Sequence, residues 1–355
     1  MSDRTISSAP TKTTFGYLPD GREVFQYTLK NTNGVSATTS NFGGLLTKLL
    51  VPSAAGKTED IVLGFDSFDA WIKNEPYFGA TVGRFGNRIA NGQFSLDGKD
   101  YQLATNNEPA GIPCHLHGGI EGFSKKLWRT ELNENGLSFH YLSPDGEEGY
   151  PGNLKVKVSY SLNENNELIW RALATCDAAT PINLINHIYW NLSGNPENSI
   201  SDHLLKINSE SYLPTTPGMI PLPTAKKVLD TPFDFRETKT IASGLSSHDP
   251  DLEIANGYDH AFIIPGNGLR HFATISHPEN NRRLDVFSNQ PAMHFYTGNF
   301  LNNEIGKNGI HYPKRSGLCL ETEAYPNAPN QPNFPSAILR PGETYEHTLV
   351  YKLSW

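Results

Sequence analysis

The sequence predicts an all-β fold, a large antiparallel β-sandwich or barrel, on three observations. The chain contains 31 Gly, 25 Pro and 11% aromatic residues, a composition suited to many short strands joined by tight turns. Turn dipeptides recur between apolar or alternating runs, at Asn33-Gly34, Asp97-Gly98, Asp145-Gly146 and Asn256-Gly257. Several runs alternate with a period of two, which is typical of half-buried strands. A length of 355 residues fits two domains or one large all-β unit.

The predicted elements begin after a loose polar arm over residues 1–13. Residues 67–74, SFDAWIKN, are one of the few short helix candidates. FSLDGKDYQL at 94–103 predicts a hairpin, because Asp97-Gly98 supplies the positive φ angles of a type I′ turn. LKVKVSYSL at 154–162 and ELIWRALATC at 167–176 predict two strands. Residues 222–244 form the longest stretch without periodicity, and such loops often shape a site.

Composition excludes several functional classes. The net charge is −8 and there is no basic run, so nucleic-acid binding is not expected. The chain has three cysteines, an odd number without C-x-x-C spacing, which fits a reducing compartment better than a disulfide framework. There is no apolar signal segment and no run of eighteen apolar residues. We therefore expect a cytoplasmic protein that does not engage a membrane.

Five polar clusters are candidates for a functional site. They are GRFGNRIANG at 83–92, PCHLHGG at 113–119, PINLINHIYWNL at 181–192, GYDHAF at 257–262, and GLCLETEAYPNAPNQPNFP at 317–335. Each also has a structural interpretation: Arg84 and Arg88 as surface cations, His187 as a hydrogen-bonded core histidine, Glu321 as a charge at a strand end. Cys114 and His115 lack a second pair of ligands with metal-site spacing, so no metal is predicted.

The fourth and fifth clusters provide carboxylates. In a strand, Asp259 and His260 point to opposite faces. Glu321 emerges from an apolar run, where a carboxyl has either a surface position or a raised pKa in a cleft. The sequence contains none of the motifs for serine hydrolysis, phosphate cradling or zincin chemistry. A histidine and a carboxylate remain, the minimum for general acid–base catalysis.

Seven segments, in order, resemble the aldose 1-epimerase, or galactose mutarotase, family. They are GRFGNRIANGQF, LHGG, NLINHIYWNL, TPFDFR, GYDHAFI, FYTGNF and CLETEAYPNAPNQPNFPSAILRPGETY. The resemblance implies a single-domain galactose mutarotase-like supersandwich over residues 14–355. It implies His187 and Glu321 as the catalytic pair, and Arg88, His117 and Asp259 as sugar-binding residues. To these we add Asn87, which precedes Arg88, and Tyr189, which shares a strand face with His187.

The implied reaction is the interconversion of α and β anomers of free aldohexoses. Glu321 would be deprotonated and take the O1 proton, and protonated His187 would donate to the ring oxygen, giving a bell-shaped pH profile with the acidic limb from Glu321 and the basic limb from His187. Tyr189, Trp190 or Phe295 would stack on the sugar or belong to the core. No cofactor is expected, and the only expected partner is a monosaccharide, bound by a monomer or homodimer.

Two departures from the family pattern affect these expectations. Cys114 stands where relatives usually have Asn, and His294 where many have Gln. We expect His294 to contact a sugar hydroxyl and to shift the preference among aldoses. Three alternatives stay open: a sugar-binding protein without catalysis, an epimerase for a different aldose, and a glycosidase or lyase. Glycoside hydrolysis usually needs two carboxylates, whereas the matched motifs supply one carboxylate and one histidine.

Overall fold

The computed structural model describes residues 9–133 and 136–355, and most of its regular structure is strand. The strands are β1 (Thr11–Tyr17), β2 (Glu23–Lys30), β3 (Ser36–Ser40), β4 (Leu46–Pro52), β5 (Thr58–Asp60), β6 (Ala80–Val82), β7 (Arg88–Ala90), β8 (Gln93–Leu96), β9 (Lys99–Gln102), β10 (Cys114–Leu116), β11 (Arg129–Asn133), β12 (Gly136–Ser143), β13 (Leu154–Leu162), β14 (Glu167–Cys176), β15 (Thr180–Pro181), β16 (Ile185–His187), β17 (Leu204–Ile207), β18 (Ser211–Tyr212), β19 (Lys226–Lys227), β20 (Lys239–Thr240), β21 (Asp259–Ile263), β22 (Arg270–Ser276), β23 (Arg283–Ser288), β24 (Ala292–Tyr296), β25 (Glu304–Ile305), β26 (His311–Tyr312), β27 (Cys319–Glu323), β28 (Ile338–Leu339) and β29 (Tyr345–Ser354). The helices are α1 (Phe68–Lys73), α2 (Ile241–Leu245) and α3 (Pro250–Ala255), with 3₁₀ turns at Pro109–Gly111, Phe123–Lys125, Glu147–Gly149, Ile200–Asp202, Lys307–Gly309 and Ala328–Asn330.

Three larger antiparallel sheets form the sandwich. The longest has the order β11-β12-β13-β14-β29-β23-β22-β17-β20, and the two five-stranded sheets have the orders β1-β2-β3-β4-β5 and β19-β18-β21-β24-β27. One apolar cluster joins all three, with Leu49, Val158, Trp170 and Phe295 among its buried members. Because burying each large apolar side chain contributes roughly 1.5–3 kcal/mol, this shared core holds the sheets in one domain.

The predicted all-β class and the local elements are confirmed where the sequence pattern was strong. Strands β13 and β14 coincide with the two alternating segments and pair along their whole length. The hairpin of β8 and β9 turns through Asp97 and Gly98 with φ of 52° and 78°, as the dipeptide predicts. The predicted short helix is α1, capped by the Ser67 side chain.

Two expectations need correction. Residues 1–8 of the predicted arm lie outside the described residues, but Thr11–Thr13 already belong to β1 and pair with β2. Residues 222–244 contain β19, β20 and most of α2, and none of them lines the pocket that holds the predicted site residues. Phe233 of this stretch instead stacks on Tyr212 inside the core, with ring centroids 3.9 Å apart, because its aromatic residues are apolar enough to be buried.

Strand pairing carries the polar clusters to one place. β24 lies between β21 and β27, so that His294 is opposite Glu321. The short strand β16 pairs with β6, and β7 pairs with β10, which puts Arg88 opposite Leu116. Each pairing joins segments far apart in sequence, and together they surround one pocket. In the described part of the chain no helix is long and apolar enough to cross a membrane.

Candidate active site

A pocket of about 420 Å³ contains every site residue that the sequence predicted. The predicted residues among its lining are Asn87, Arg88, His117, His187, Tyr189, Asp259, His294 and Glu321. They come from six separate segments of the chain. Polar groups that converge in one concave site are the usual sign of a small-molecule binding site.

His187 and Glu321 face each other in the lining of this pocket. His187 Nε2 lies 3.5 Å from Glu321 Oε2, and their side chains are 6% and 3% exposed. His187 Nδ1 lies 3.8 Å from the Cys319 thiol on the neighbouring strand. Glu321 Oε2 is buried and has no hydrogen-bond partner among the described residues. An unsatisfied buried carboxyl oxygen is costly, so the pocket is prepared for a ligand that supplies a hydroxyl.

Burial decides how this pair is protonated. Removal from water, together with the nearby Glu323 and Asp259 charges, raises the pKa of Glu321 to about 8. Burial also lowers the pKa of His187 to about 4. At neutral pH the pair therefore holds one proton, located on Glu321. This is the reverse of the expectation from sequence, which placed the proton on the histidine.

Asn87, Arg88 and His117 form one wall through interlocking hydrogen bonds. Asn87 and His117 both have positive φ, 62° and 52°, so each backbone turns sharply beside the pocket. The Asn87 backbone N–H donates to His117 Nδ1 at 3.1 Å, which leaves the N–H of a neutral His117 on Nε2. Burial, then the positive charges around it, lowers the pKa of His117 well below its usual range. Arg88 Nε donates to Asn107 Oδ1 at 3.4 Å.

Asp259 and His294 form a second hydrogen-bonded group in the pocket lining. His294 Nε2 lies 2.5 Å from Asp259 Oδ1, and its Nδ1 lies 3.2 Å from Glu323 Oε1. Both ring nitrogens are therefore occupied within the protein, which argues against the direct sugar contact expected for His294. His260, as predicted, points to the other face of β21 and packs on Phe233 with centroids 4.8 Å apart.

The aromatic residues divide between pocket and core. Tyr189 stacks on His187 with ring centroids 5.3 Å apart and lines the pocket. Trp190 packs against Tyr351 and Phe295 against Tyr258, so these two candidates belong to the core.

Several lining residues were not anticipated from sequence. They include Tyr77, Asn107, Tyr296 and Phe300 in the pocket, with Glu323 behind it. Tyr296 and Phe300 lie in the FYTGNF segment, and Glu323 lies two residues after Glu321 on the same strand face, so their segments gave a usable signal. Tyr77 and Asn107 lie in loops without a pattern.

Arg84 and Cys114, two further residues of the polar clusters, do not line the pocket. Arg84 is 2% exposed, and its guanidinium donates to the backbone oxygens of Ser143, Pro151 and Gly152. Cys114 is buried and does not line the pocket. Among the described residues, the groups of His, Cys and carboxylate close enough to share an ion are His187-Cys319-Glu321 and Asp202-His203-His277; neither includes Cys114.

Comparison with known proteins gives consistent matches over nearly the whole chain. A family model described as aldose 1-epimerase matches residues 26–352. The galactose mutarotase of Homo sapiens is 43% identical over 346 residues, which cover 97% of this chain and 98% of that protein. The aldose 1-epimerase of Escherichia coli (strain K12) is 35% identical, with coverages of 94% and 96%. A GalM/aldose epimerase homologue from C. elegans superposes with a TM-score of 0.85 at 32% identity, covering 92% of this chain and 98% of its own.

Proposed function

This chain belongs to the aldose 1-epimerase family, and from that premise we propose that it interconverts the α and β anomers of free aldohexoses such as galactose and glucose. It is an isomerase, and the sugar is its substrate. The observation that supports a catalytic site best is the buried pair of His187 and Glu321, 3.5 Å apart within a pocket lined by hydrogen-bonding groups.

Anomer exchange requires two proton transfers and no net change in protons. The base removes the proton from O1, the acid protonates the ring oxygen, and the bond between C1 and that oxygen breaks to give the open-chain aldehyde. Rotation about C1–C2 presents the other face of the carbonyl, and the reverse transfers close the ring. Each positioned transfer contributes about 10²- to 10⁴-fold. A pair that holds one proton between its members can run the cycle repeatedly.

We assign Glu321 to O1 and His187 to the ring oxygen. Because burial favours the shared proton on Glu321, this proton has to move to His187 when the sugar is bound. The 3.5 Å separation of Oε2 and Nε2 allows that transfer. A sugar hydroxyl that donates to Glu321 replaces part of the lost hydration and favours the carboxylate form.

The remaining polar groups are assigned to orientation of the sugar. Arg88 offers guanidinium donors, His117 Nε2–H a neutral donor, and Asp259 a carboxylate acceptor. Asn87 holds His117 in place, and Tyr189 provides a ring beside the reacting atoms. Holding the other hydroxyls leaves C1 free to rotate, which is the positional contribution to catalysis.

Polarimetry tests the function directly. Freshly dissolved α-D-galactose and α-D-glucose should approach rotational equilibrium faster with the protein than without it. Glu321→Gln should abolish this acceleration while sugar affinity stays within a few-fold, because the amide keeps the shape of the side chain but cannot accept the O1 proton. Unchanged rates in that variant would remove Glu321 as the base. Binding without acceleration by the unmodified protein would favour a sugar-binding protein instead.

The remaining expectations are part of the same proposal. The chain from the start of β1 at Thr11 onward would act as the catalytic domain, in the cytoplasm and without a cofactor. The oligomeric state is proposed to be a monomer or homodimer, which light scattering measures directly.

A further inference from the structure

Three buried ionisable side chains lie in a row across the sheet beside the pocket. His294 is hydrogen-bonded through Nε2 to Asp259 Oδ1 at 2.5 Å and lies 3.2 Å from Glu323 Oε1 through Nδ1. The side chains of Asp259, His294 and Glu323 are 8%, 6% and 0% exposed. Buried charges persist only when they are paired, so this row acts as one unit.

Strand register explains why the row forms. On β24, His294 is opposite Ala261 of β21 and Glu321 of β27. Asp259 lies two residues before Ala261, and Glu323 lies two residues after Glu321. Both carboxylates are therefore diagonal neighbours of His294 on the same sheet face, within reach of its ring.

The two ends of the row differ. Asp259 lines the pocket, whereas Glu323 does not. Two side-chain amides anchor Glu323. The amides of Asn87 and Asn183 donate to its two carboxylate oxygens at 3.3 Å and 3.4 Å. The Asn87 amide is also 3.3 Å from His294 Nδ1, but a protonated nitrogen cannot accept, so a doubly protonated ring directs that amide to Glu323.

We propose that His294 is a positioning residue that is anchored by Glu323 and holds Asp259 by one oxygen, so that the other oxygen of Asp259 accepts sugar hydroxyls in a fixed geometry. This inference rests on the proposed function. His294 then acts on the substrate through Asp259 and makes no sugar contact of its own.

The charges around His294 support this role. Burial opposes its protonation, but hydrogen bonds and attraction from Asp259 and Glu323 prevail and raise the pKa of His294 to about 10. Burial would raise the pKa of Asp259, yet the hydrogen bond from His294 holds it below its usual value. The other titratable or charged groups near Asp259 and His294 among the described residues include Arg88, His117, His187, Tyr189, His260, Tyr296, Cys319 and Glu321. His294 therefore favours the ionised form of Asp259 within this buried site.

Variants at position 294 separate charge from hydrogen bonding. His294→Leu removes both, and we expect KM for galactose to rise about tenfold or more with a much smaller change in kcat, as for a lost hydrogen bond to a charged group. Its KM should also increase as the pH falls from 8 to 5, because Asp259 loses the partner that keeps it ionised, whereas the unmodified protein should have a flat KM over that range. His294→Gln keeps a hydrogen-bond donor without the charge, so its KM should lie between those of the unmodified protein and His294→Leu.

A double-variant comparison tests whether His294 acts through Asp259. Asp259→Asn should itself raise KM, and adding His294→Gln to it should raise KM no further, because the group that His294 positions is already altered. Additive effects of the two changes would mean that His294 contacts the sugar directly and would overturn the inference. Glu323→Gln is a milder variant that should raise KM less than His294→Leu and covers the case in which the leucine variant does not fold.

The matched control is His271→Gln. His271 also pairs with an aspartate, Asp285, at 3.2 Å, but on the large sheet and outside the pocket. The His271→Gln variant should leave KM and its pH dependence unchanged.

Nitrogen NMR of labelled protein at pH 7 gives a readout independent of activity. Both ring nitrogens of His294 should be protonated, and a neutral ring would refute the proposed charged row of Asp259, His294 and Glu323. If the unmodified protein fails to accelerate mutarotation, the proposed function fails while the NMR result still stands.

Discussion

The pH dependence of kcat/KM tests how burial distributes the proton between His187 and Glu321. Catalysis needs one donor and one acceptor, so the active form of the free enzyme carries a single proton on the pair. Below a pH of about 4 both groups are protonated and no base is left, since burial lowers the pKa of His187 to about 4. Above about 8 both are deprotonated and no acid is left, since burial raises the pKa of Glu321 to about 8.

The expected profile is a broad plateau between these two limits. One unit above the basic limb, near pH 9, kcat/KM should be about tenfold lower than on the plateau, because each pH unit changes the protonated fraction tenfold. Free sugars do not titrate in this range, so the limbs report the enzyme. Tryptophan fluorescence measured at each pH separates loss of activity from unfolding.

The alternative assignment makes a different profile. If burial did not shift the two pKa values, Glu321 would set the acidic limb and His187 the basic limb. Activity would then decline above a pH of about 6.5, the usual pKa of histidine. A basic limb at that value, or a rate rising without limit towards high pH, would refute the argument from burial. Infrared difference spectra against Glu321→Gln should show a protonated carboxyl at pH 7, and nitrogen NMR should show a neutral His187.

Three further predictions concern other parts of the molecule. His187→Asn should lower kcat by about 10²- to 10⁴-fold with little change in sugar affinity, measured by polarimetry and calorimetry, because it removes one of the two proton carriers; a loss confined to KM would instead make His187 a binding residue. Arg84→Met should lower the free energy of unfolding by about 3 kcal/mol in urea titration, because it leaves several buried backbone oxygens without donors; a normal midpoint would contradict that role. Gly98→Ala should cost about 1 kcal/mol of stability without affecting activity, since φ is +78° there and no atom lies within 4 Å of the added carbon; a loss of activity would mean that the hairpin communicates with the pocket.

Local sequence patterns were sufficient to predict the strands and turns that depend mainly on neighbouring residues. The alternation in β13 and β14 and the Asp97-Gly98 turn between β8 and β9 appear in the structure at the expected residues. A side-chain period of two and a turn that needs positive φ depend on neighbouring residues only. The boundary placed at residue 13 was wrong because Thr11–Thr13 are polar and mostly exposed, so their membership in β1 depends on pairing with β2.

The sequence also determined which residues enter the site, because the motifs of the family carry them. All eight predicted site residues line one pocket, and their proposed roles await the experiments above. Arg84 and Arg88 lie four residues apart in the same glycine-rich segment, yet only Arg88 lines the pocket while Arg84 is enclosed by backbone oxygens. Spacing along the chain contains no information on which of two such side chains meets the cavity.

Only the tertiary structure decided the electrostatic state of the site. His187 and Glu321 are 134 positions apart in the sequence, and their shifted pKa values arise from burial and from neighbours on other strands. The engagement of His294 by Asp259 and Glu323 likewise depends on the register of β21, β24 and β27. Residue types fix the ordinary pKa and the possible hydrogen bonds, but hydration and the distances between charges exist only after long-range strand pairing has formed.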